Sequence, residues 1–245
     1  MIWIFWLVGL LLSVTISIIT IKKDRTLGYS YLTVIAAAFV LISNILTPRL
    51  MELNFFGYSV VLVTGSLIWP FIGQISDMIN EVYGKRKTLI AFALAYLANL
   101  LFVIFVFMAN HTSPVWSVQE EMFWSNYFIP SFRVFIASSI SFVICQFLDV
   151  VVFSFLKEKW RNKESNSQMC NIVVFGTVRS AMSDMVNMIF DASVFAIIAF
   201  WGILPIDELG KLILGSLLIK VSLSVIDTPL FVMFRIGVKD VQRDK

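Results

Sequence analysis

The chain has 245 residues, of which 59% are hydrophobic and 14% are charged, and its formal net charge is +3. Since a soluble domain carries about 25% charged residues, this composition excludes a purely aqueous core and indicates a membrane protein. The modest positive charge forms no dense basic face, which argues against nucleic-acid binding. With two cysteines and one histidine, the sequence predicts neither a disulfide framework nor a metal site, and no cofactor is expected.

Seven apolar stretches are long enough to cross about 30 Å of hydrocarbon as helices. They cover residues 2–21, 30–47, 57–76, 87–109, 131–155, 181–203 and 210–236. A lipid-exposed backbone must satisfy its own hydrogen bonds, and the stretches lack the alternation of a membrane β-barrel, so each is predicted to be helical. We therefore expect one all-α polytopic membrane domain over residues 1–245, ending in a tail at 237–245.

The basic residues of the loops predict the topology. The first stretch has no basic region before it and is followed by Lys22, Lys23 and Arg25, so it is predicted to be a span and not a signal peptide. Every second loop is rich in Lys and Arg. By the positive-inside rule those loops are cytoplasmic, which places the N-terminus outside and the C-terminus inside a multi-pass protein of the inner (plasma) membrane. Seven spans fit that parity.

Three local features interrupt the regular pattern. Ser117 and Glu120 have capping-box spacing in an aromatic loop, which predicts a short helix in the outer interface, either an anchor or a lid over an outer cavity. Pro70 is predicted to kink the third span. The apolar piece 172–178, set apart from the sixth span by Arg179, is predicted to be a re-entrant or surface helix.

Several spans carry polar groups where hydrocarbon is expected, and these are the functional candidates. Asp77 and Glu81 are four residues apart and share a helix face, either as a solvated helix end or as part of a site. Gln146 and Asp149 lie within the fifth span, where an ion pair and a ligand contact are both open.

The sixth and seventh spans have polar stripes. Asp184, Asn187 and Asp191 recur at helical spacing in the sixth, and Lys220 lies ten residues inside the seventh. Because a lone buried lysine deprotonates or finds a carboxylate, we expect Asp191 to be its partner, with Asp149 as the second choice. Such a pair is either a staple between helices or part of a binding site. Staples add little net stability, which favours the site.

Enzyme motifs are missing from the sequence. There is no HExxH, GxSxG or P-loop pattern, and the glycine-rich sequence expected beside an intramembrane aspartyl pair is absent. The chain is therefore predicted not to be an enzyme.

Four ordered motifs resemble the queuosine-precursor transporter family, also called the VUT family. They are Asp77-x-x-x-Glu81-x-x-Gly84 before Lys85-Arg86-Lys87, Gln146-x-x-Asp149-Val150-x-Val152-Phe153, Arg179-x-x-x-Ser183 leading to Asp191, and Lys220 before Asp227-Thr228-Pro229. Asn44 is similar to the family's first polar position. The resemblance covers about residues 35–236, and Asp184 departs from it because a small hydroxylated residue is expected there.

The resemblance implies a six-helix transporter core over 30–236, related to the S components of energy-coupling-factor transporters, with 1–22 as an extra N-terminal span. It implies uptake of a 7-deazapurine such as preQ0 or preQ1 across the lipid bilayer. The substrate-binding candidates are Asn44, Trp69, Phe71, Asp77, Glu81, Gln146, Asp149, Arg179, Asp191 and Lys220.

The chemistry of these side chains agrees with such a substrate. Carboxylates accept from the N1–H and 2-amino donors of a guanine-like edge, an amide or a cation holds the carbonyl, and an aromatic ring stacks on the flat base. A carrier for another vitamin or purine-like ligand and a non-transporting scaffold are the alternatives. The sequence leaves open whether the protein forms a homodimer and whether it needs an ATP-driven module.

Overall fold

The computed structural model describes residues 2–47, 49–55, 58–113, 115, 117–128, 131–165 and 169–240. Long helices dominate it, which confirms the predicted all-α polytopic class. The helices are α1 Ile2–Lys23, α2 Arg25–Leu46, α3 Trp69–Tyr83, α4 Lys85–Asn110, α5 Val118–Phe128, α6 Ser131–Ser165, α7 Met169–Phe200 and α8 Ile206–Gly237. Two strands, β1 Leu50–Phe55 and β2 Tyr58–Val63, and a 3-10 helix, Thr64–Leu67, lie between α2 and α3.

Six helices are long and apolar enough to cross a membrane. Within the described residues these candidate spans are Trp6–Lys23, Arg25–Leu46, Lys85–Asn110, Phe135–Trp160, Ala181–Phe200 and Ile206–Gly237. They correspond to six of the seven predicted spans. Their outward faces carry exposed leucine, isoleucine, valine and phenylalanine side chains, as a lipid-facing surface requires.

The prediction of one helix over 57–76 is wrong. The first part of this stretch is β2, which pairs antiparallel with β1 in the register Leu50 to Val63 and Phe55 to Tyr58. The sequence of β2, Tyr-Ser-Val-Val-Leu-Val, is rich in β-branched and aromatic residues that favour a strand. Pro70 stands in the first turn of α3, where a backbone N–H has no acceptor within the helix, so its lack of an N–H costs no hydrogen bond. It therefore begins a helix and does not kink one.

Although residues 57–76 do not form one helix, the segment that joins α2 to α4 still crosses the bundle. Tyr83, at the end of α3, donates a hydrogen bond of 2.8 Å to the carbonyl of Arg25, at the start of α2. Tyr29 of α2 donates 2.9 Å to the carbonyl of Lys87 in α4. The α3–α4 turn therefore lies at the same end as the α1–α2 turn, and the segment from Thr47 to Tyr83 passes from one end of the bundle to the other.

Basic residues from distant parts of the chain meet at this end. Arg235, near the end of α8, and Lys157 of α6 both pair with Glu81 of α3. Gly237 lies against the side chain of Ile18 in α1. This clustering agrees with the predicted cytoplasmic face, while the orientation of the termini across the membrane stays a prediction.

The predicted break before the sixth span is wrong, because α7 runs unbroken from Met169 to Phe200 and includes Arg179. The first helix belongs to the packed bundle. The indole N–H of Trp6 donates 2.8 Å to the carbonyl of Leu67, and its ring meets Phe71 edge-on at 5.6 Å between centroids. The buried faces of α1 and α3 thus share one hydrophobic core.

The short helix α5 has the predicted cap. The backbone N–H of Ser117 donates 3.0 Å to the Glu120 carboxylate, and the N–H of Glu120 donates 3.4 Å to the Ser117 hydroxyl. The hydrogen bonds from Ser117 lower the pKa of Glu120. Trp124 of α5 ties the helix to Asn110, at the end of α4, through a 2.6 Å hydrogen bond. The exposed Phe123 (74%) suits a helix lying in the interface.

Candidate functional site

A cavity opens between α2, α3, α6, α7 and α8, near the 3-10 helix. The space between the lining atoms, with the open solvent at its mouth included, is about 570 Å³. We call it the main cavity. Its polar lining includes Ser43, Asn44, Ser66, Ser138, Ser216, Asp191 and Lys220, and its aromatic lining is Trp69, Phe142 and Phe195. It thus combines flat apolar walls with a few converging polar groups.

A buried ion pair lies in the wall of the main cavity. Lys220 Nζ of α8 donates to Asp191 Oδ2 of α7, which confirms the predicted partner of this lysine. The side chain of Ser141, on α6, donates 2.6 Å to the other carboxylate oxygen of Asp191. Lys220 Nζ also lies 4.9 Å from the centre of the Trp69 ring, within the range of a cation–π interaction. Three helices and one aromatic ring therefore fix this pair.

Small residues around Asp191 allow the helices to approach closely. Ala192, Ala196 and Ala199 are all buried on α7, and small side chains let membrane helices pack with little separation. Positions 192, 196 and 199 stand at i, i+4 and i+7, so the three alanines share one helix face. The ionic side chain is thereby held against its neighbours.

The α2 side of the main cavity is built on a pair of asparagines. Asn44 donates a side-chain hydrogen bond to Asn99 of α4. Next to it, Ser43 donates 3.3 Å to the carbonyl of Gly65 in the 3-10 helix. A Cβ at Gly65 would lie 2.3 Å from Thr47 Oγ1, so only glycine permits this close approach. The amide of Asn44 is thus fixed in the wall.

A second cavity adjoins the first, and the space between its lining atoms, open solvent included, is about 340 Å³. We call it the second cavity; it is lined by Trp69, Pro70, Gly73, Asp184, Asn187, Met188, Asp191, Lys220, Ser224 and Asp227. Trp69, Asp191 and Lys220 line both cavities. The Ser224 hydroxyl donates 3.1 Å to Asp184 Oδ2. The ion pair and the indole thus stand between two polar hollows.

Asp149 and Gln146 are not among the residues lining either cavity. Ser183 of α7 donates 2.5 Å to Asp149 Oδ1. Gln146 donates 2.7 Å to the Ser76 hydroxyl of α3. Both residues hold α6 against its neighbours, and Asp149, the second choice as partner of Lys220, does not take that role.

The remaining predicted residues lie elsewhere. Glu81 accepts 3.0 Å from Arg235 at the basic end, Asp77 is buried on α3, and neither is in the lining of the cavities described. Phe71 packs on Trp6 and Phe39. The side chain of Arg179 lies outside the described residues. Of the ten predicted positions, the main cavity therefore brings together Asn44, Trp69, Asp191 and Lys220.

Sequence reasoning missed the hydroxyl groups and one amide of this site. Ser141 and Asn99 make the hydrogen bonds that orient Asp191 and Asn44. Asn99 had a usable signal, since it is a polar amide within the apolar stretch 87–109. Serines such as Ser141 carry no comparable signal, because a hydroxyl in a span is commonly satisfied by its own helix.

The comparisons with known proteins decide the family. Residues 63–234 match the family model described as "Putative vitamin uptake transporter", which is more than half of the 245 residues. The chain belongs to this transporter family. It is therefore a multi-pass membrane transporter and not an enzyme, and the scaffold alternative falls away. The match begins at Val63, so α1, α2 and β1 lie before it.

One curated relative gives a finer comparison. The chain is 27% identical over 192 residues to the "Probable queuosine precursor transporter" of Bacillus subtilis (strain 168), and the alignment covers 76% of each chain. This likeness confirms the resemblance to the queuosine-precursor family. No solved structure matched the chain significantly.

Proposed function

We propose that this transporter carries a queuosine precursor, a 7-deazapurine such as preQ0 or preQ1, into the cytoplasm. The family match supports small-molecule transport, and the name of the Bacillus relative supports this substrate class. The proposal places the protein in the plasma membrane with its basic end inside, as the distribution of Lys and Arg predicts.

The side chains of the main cavity suit the edge of a guanine-like base. Asp191 accepts hydrogen bonds only, and the N1–H and 2-amino groups of a 7-deazaguanine are adjacent donors. Lys220 donates to the neighbouring carbonyl while it remains beside Asp191. The Trp69 indole offers a flat face for stacking, and Asn44 both donates and accepts. The donor edge, the carbonyl and the flat face of the base thus each have a partner.

The observation that carries the proposal is the Asp191–Lys220 pair in a cavity wall. Both side chains are buried, at 3% and 4% exposure, and taking two charges from water into hydrocarbon costs several kcal/mol per ion. A merely structural staple would be surrounded by packed side chains. Here the pair borders open space beside an aromatic ring, as a ligand site requires.

Complementation tests the proposal. In a bacterial strain that cannot make preQ0 and lacks its own importer, expression of this chain should restore queuosine in tRNA at low external precursor. Lys220→Met should abolish the restoration while the protein stays in the membrane. Asp207→Asn, an exposed carboxylate at the start of α8, is the matched control and should restore fully. Well-expressed wild-type protein without restoration would refute the substrate.

A carrier for another vitamin-like ligand is the second candidate, because the family description names vitamin uptake. Thermal-shift measurements on the purified protein separate the two. Deazapurines should raise the midpoint of unfolding at lower concentration than purines or vitamins, since a ligand stabilises by mass action in proportion to its affinity. A larger shift with a vitamin would select the second candidate.

A further inference from the structure

The second cavity holds more carboxylates than cations. Asp184 of α7 and Asp227 of α8 line it and are 9% and 6% exposed. With Asp191, three acidic side chains from α7 and α8 therefore line one low-dielectric space, where like charges repel strongly.

The cations around this cavity do not balance those charges. Lys220 is the cation among its lining residues, and Asp191 holds its ammonium group. From α3 the lining consists of Trp69, Pro70 and Gly73, none of which is charged. The donor that reaches Asp184 from α8 is the Ser224 hydroxyl. A positive charge is thus missing from the described lining of the second cavity.

Two of the buried oxygen atoms without a partner among the described residues belong to the lining of this cavity. Asn187 Oδ1 and Asp227 Oδ1 have no hydrogen-bond partner among the described residues, and both side chains are 6% exposed. A buried acceptor without a partner is costly and calls for an explanation. Both oxygens belong to residues that line the 340 Å³ space, so an occupant with positive charge would satisfy them.

We propose that the second cavity binds a single monovalent cation, a proton or Na⁺, which is taken up together with the substrate. The carboxylates of Asp184 and Asp227 balance its positive charge, and the Asn187 carbonyl and the Ser224 hydroxyl complete an all-oxygen environment. Ionisable residues inside membrane bundles serve as proton and ion sites in transporters. The transport part of this inference rests on the proposed function, whereas the binding site stands without it.

Lys220 links the cation to the substrate. When the second cavity is empty, ionised Asp184 and Asp227 compete with Asp191 for the Lys220 ammonium. A bound cation removes that competition and keeps Lys220 beside Asp191 and Trp69, in the arrangement that lines the main cavity. The cation therefore tightens substrate binding, and by linkage the substrate tightens cation binding.

A substrate-free experiment tests the cation site. Purified protein is unfolded thermally in NaCl or choline chloride at equal ionic strength, at pH 6 and pH 8. A cation that binds the folded protein raises the midpoint, by about 2–4 °C for each kcal/mol of binding at this chain length. A rise in NaCl identifies Na⁺, and a rise at the lower pH in choline chloride identifies a proton.

Substitutions in the second cavity test whether the cation-dependent rise of the unfolding midpoint comes from this site. Asp227→Asn and Asp184→Asn should each lose the cation-dependent rise, because each replaces a carboxyl group by a neutral amide of nearly the same shape. Asp207→Asn, exposed on the same helix as Asp227, should keep the rise. The proposal is overturned if the wild-type midpoint is indifferent to both cations, or if both cavity variants respond as the wild type does.

Transport in proteoliposomes tests the coupling. With the membrane potential clamped, a tenfold inward gradient of the cation should drive up to about tenfold accumulation of labelled preQ1, because the two free energies balance. Asp227→Asn should still exchange internal for external preQ1 but should no longer accumulate it. Accumulation by the variant equal to that of the wild type would refute the coupling. Absence of exchange in the wild type would refute the proposed substrate, while the midpoint shift would still decide the cation site.

Discussion

Two buried charge clusters in this protein use the same residue types in different surroundings. At the basic end, Glu81 is held by Arg235 at 3.0 Å and by Lys157 at 3.4 Å. Lys157 is further fixed by the carbonyls of Asn80 and Glu81 at 2.8 Å and 2.7 Å. In the other cluster, Asp191 and Lys220 border two cavities and an indole ring.

The difference shows what separates a structural charge cluster from a binding site. The Glu81 cluster joins α3, α6 and α8, is saturated with backbone contacts and borders neither described cavity. The Asp191 cluster joins the same α6 and α8 through α7 and leaves space beside it. Glu81, Arg235, Asp191 and Lys220 are all buried, so burial of charge does not separate the two clusters. The adjoining cavities mark the site.

The largest loss of uptake should follow from removing the Lys220 charge beside Asp191. Lys220→Met leaves Asp191 as a lone buried anion, and we expect uptake to fall at least about 100-fold, as when one partner of a buried pair is removed. The double variant Asp191→Asn/Lys220→Met restores neutrality. A staple would tolerate it, whereas a binding site stays inactive, and uptake per folded molecule decides between them.

Glu81→Gln should act on stability instead. It leaves the Arg235 guanidinium without its carboxylate, and breaking a buried pair in this way costs about 3 kcal/mol. We expect a lower unfolding midpoint in detergent and less protein in the membrane, with unchanged uptake per folded molecule. If uptake per molecule falls as it does in Lys220→Met, then Glu81 belongs to the site and the distinction between the clusters is wrong.

Much of this arrangement was predictable because lipid imposes simple rules. Apolar length located six spans, and the cost of a buried lysine predicted its pairing with Asp191. Hydropathy failed at residues 57–76, since the apolar stretch is divided between a strand and a helix, and hydropathy does not distinguish the two. The β-branched residues of β2 and Pro70 at the start of α3 held the missing information.

Which polar residues are buried was easier to predict than where in the bundle each side chain points. The sequence ranked Asp191 first and Asp149 second as the partner of Lys220. In the structure Asp149 accepts from Ser183, whereas Asp191 pairs with Lys220 and lines both cavities. The rotation of each helix about its axis decides this, and it is set by packing against several neighbours at once. A single sequence does not contain that information in any local pattern.

A smaller effect should follow from filling the close approach beside the main cavity. In Gly65→Ala the new methyl group would lie 2.3 Å from Thr47 Oγ1 and 2.6 Å from the carbonyl of Ser43. Such overpacking costs about 1–3 kcal/mol, and the displaced Ser43 should also weaken substrate binding. Gly210→Ala is the matched control, because nothing lies within 4 Å of its Cβ position. Equal unfolding midpoints in the two variants would contradict the contact.

The smallest effect should come from α5 and should decide between an anchor and a lid. Ser117→Ala removes the hydroxyl that bonds Glu120, so the first turn should exchange its amide protons faster. Because Ser117 lowers the pKa of Glu120, the contribution of this cap is present above the ordinary pKa of a glutamate. It should fade as the pH falls through the lowered value. The wild type and the variant should therefore differ in amide exchange at neutral pH and converge in acid.

Uptake by Ser117→Ala decides between the two roles of α5. If α5 only anchors the interface, uptake is unchanged. If α5 is a lid that must close over the main cavity, uptake falls as the amide exchange of its first turn rises.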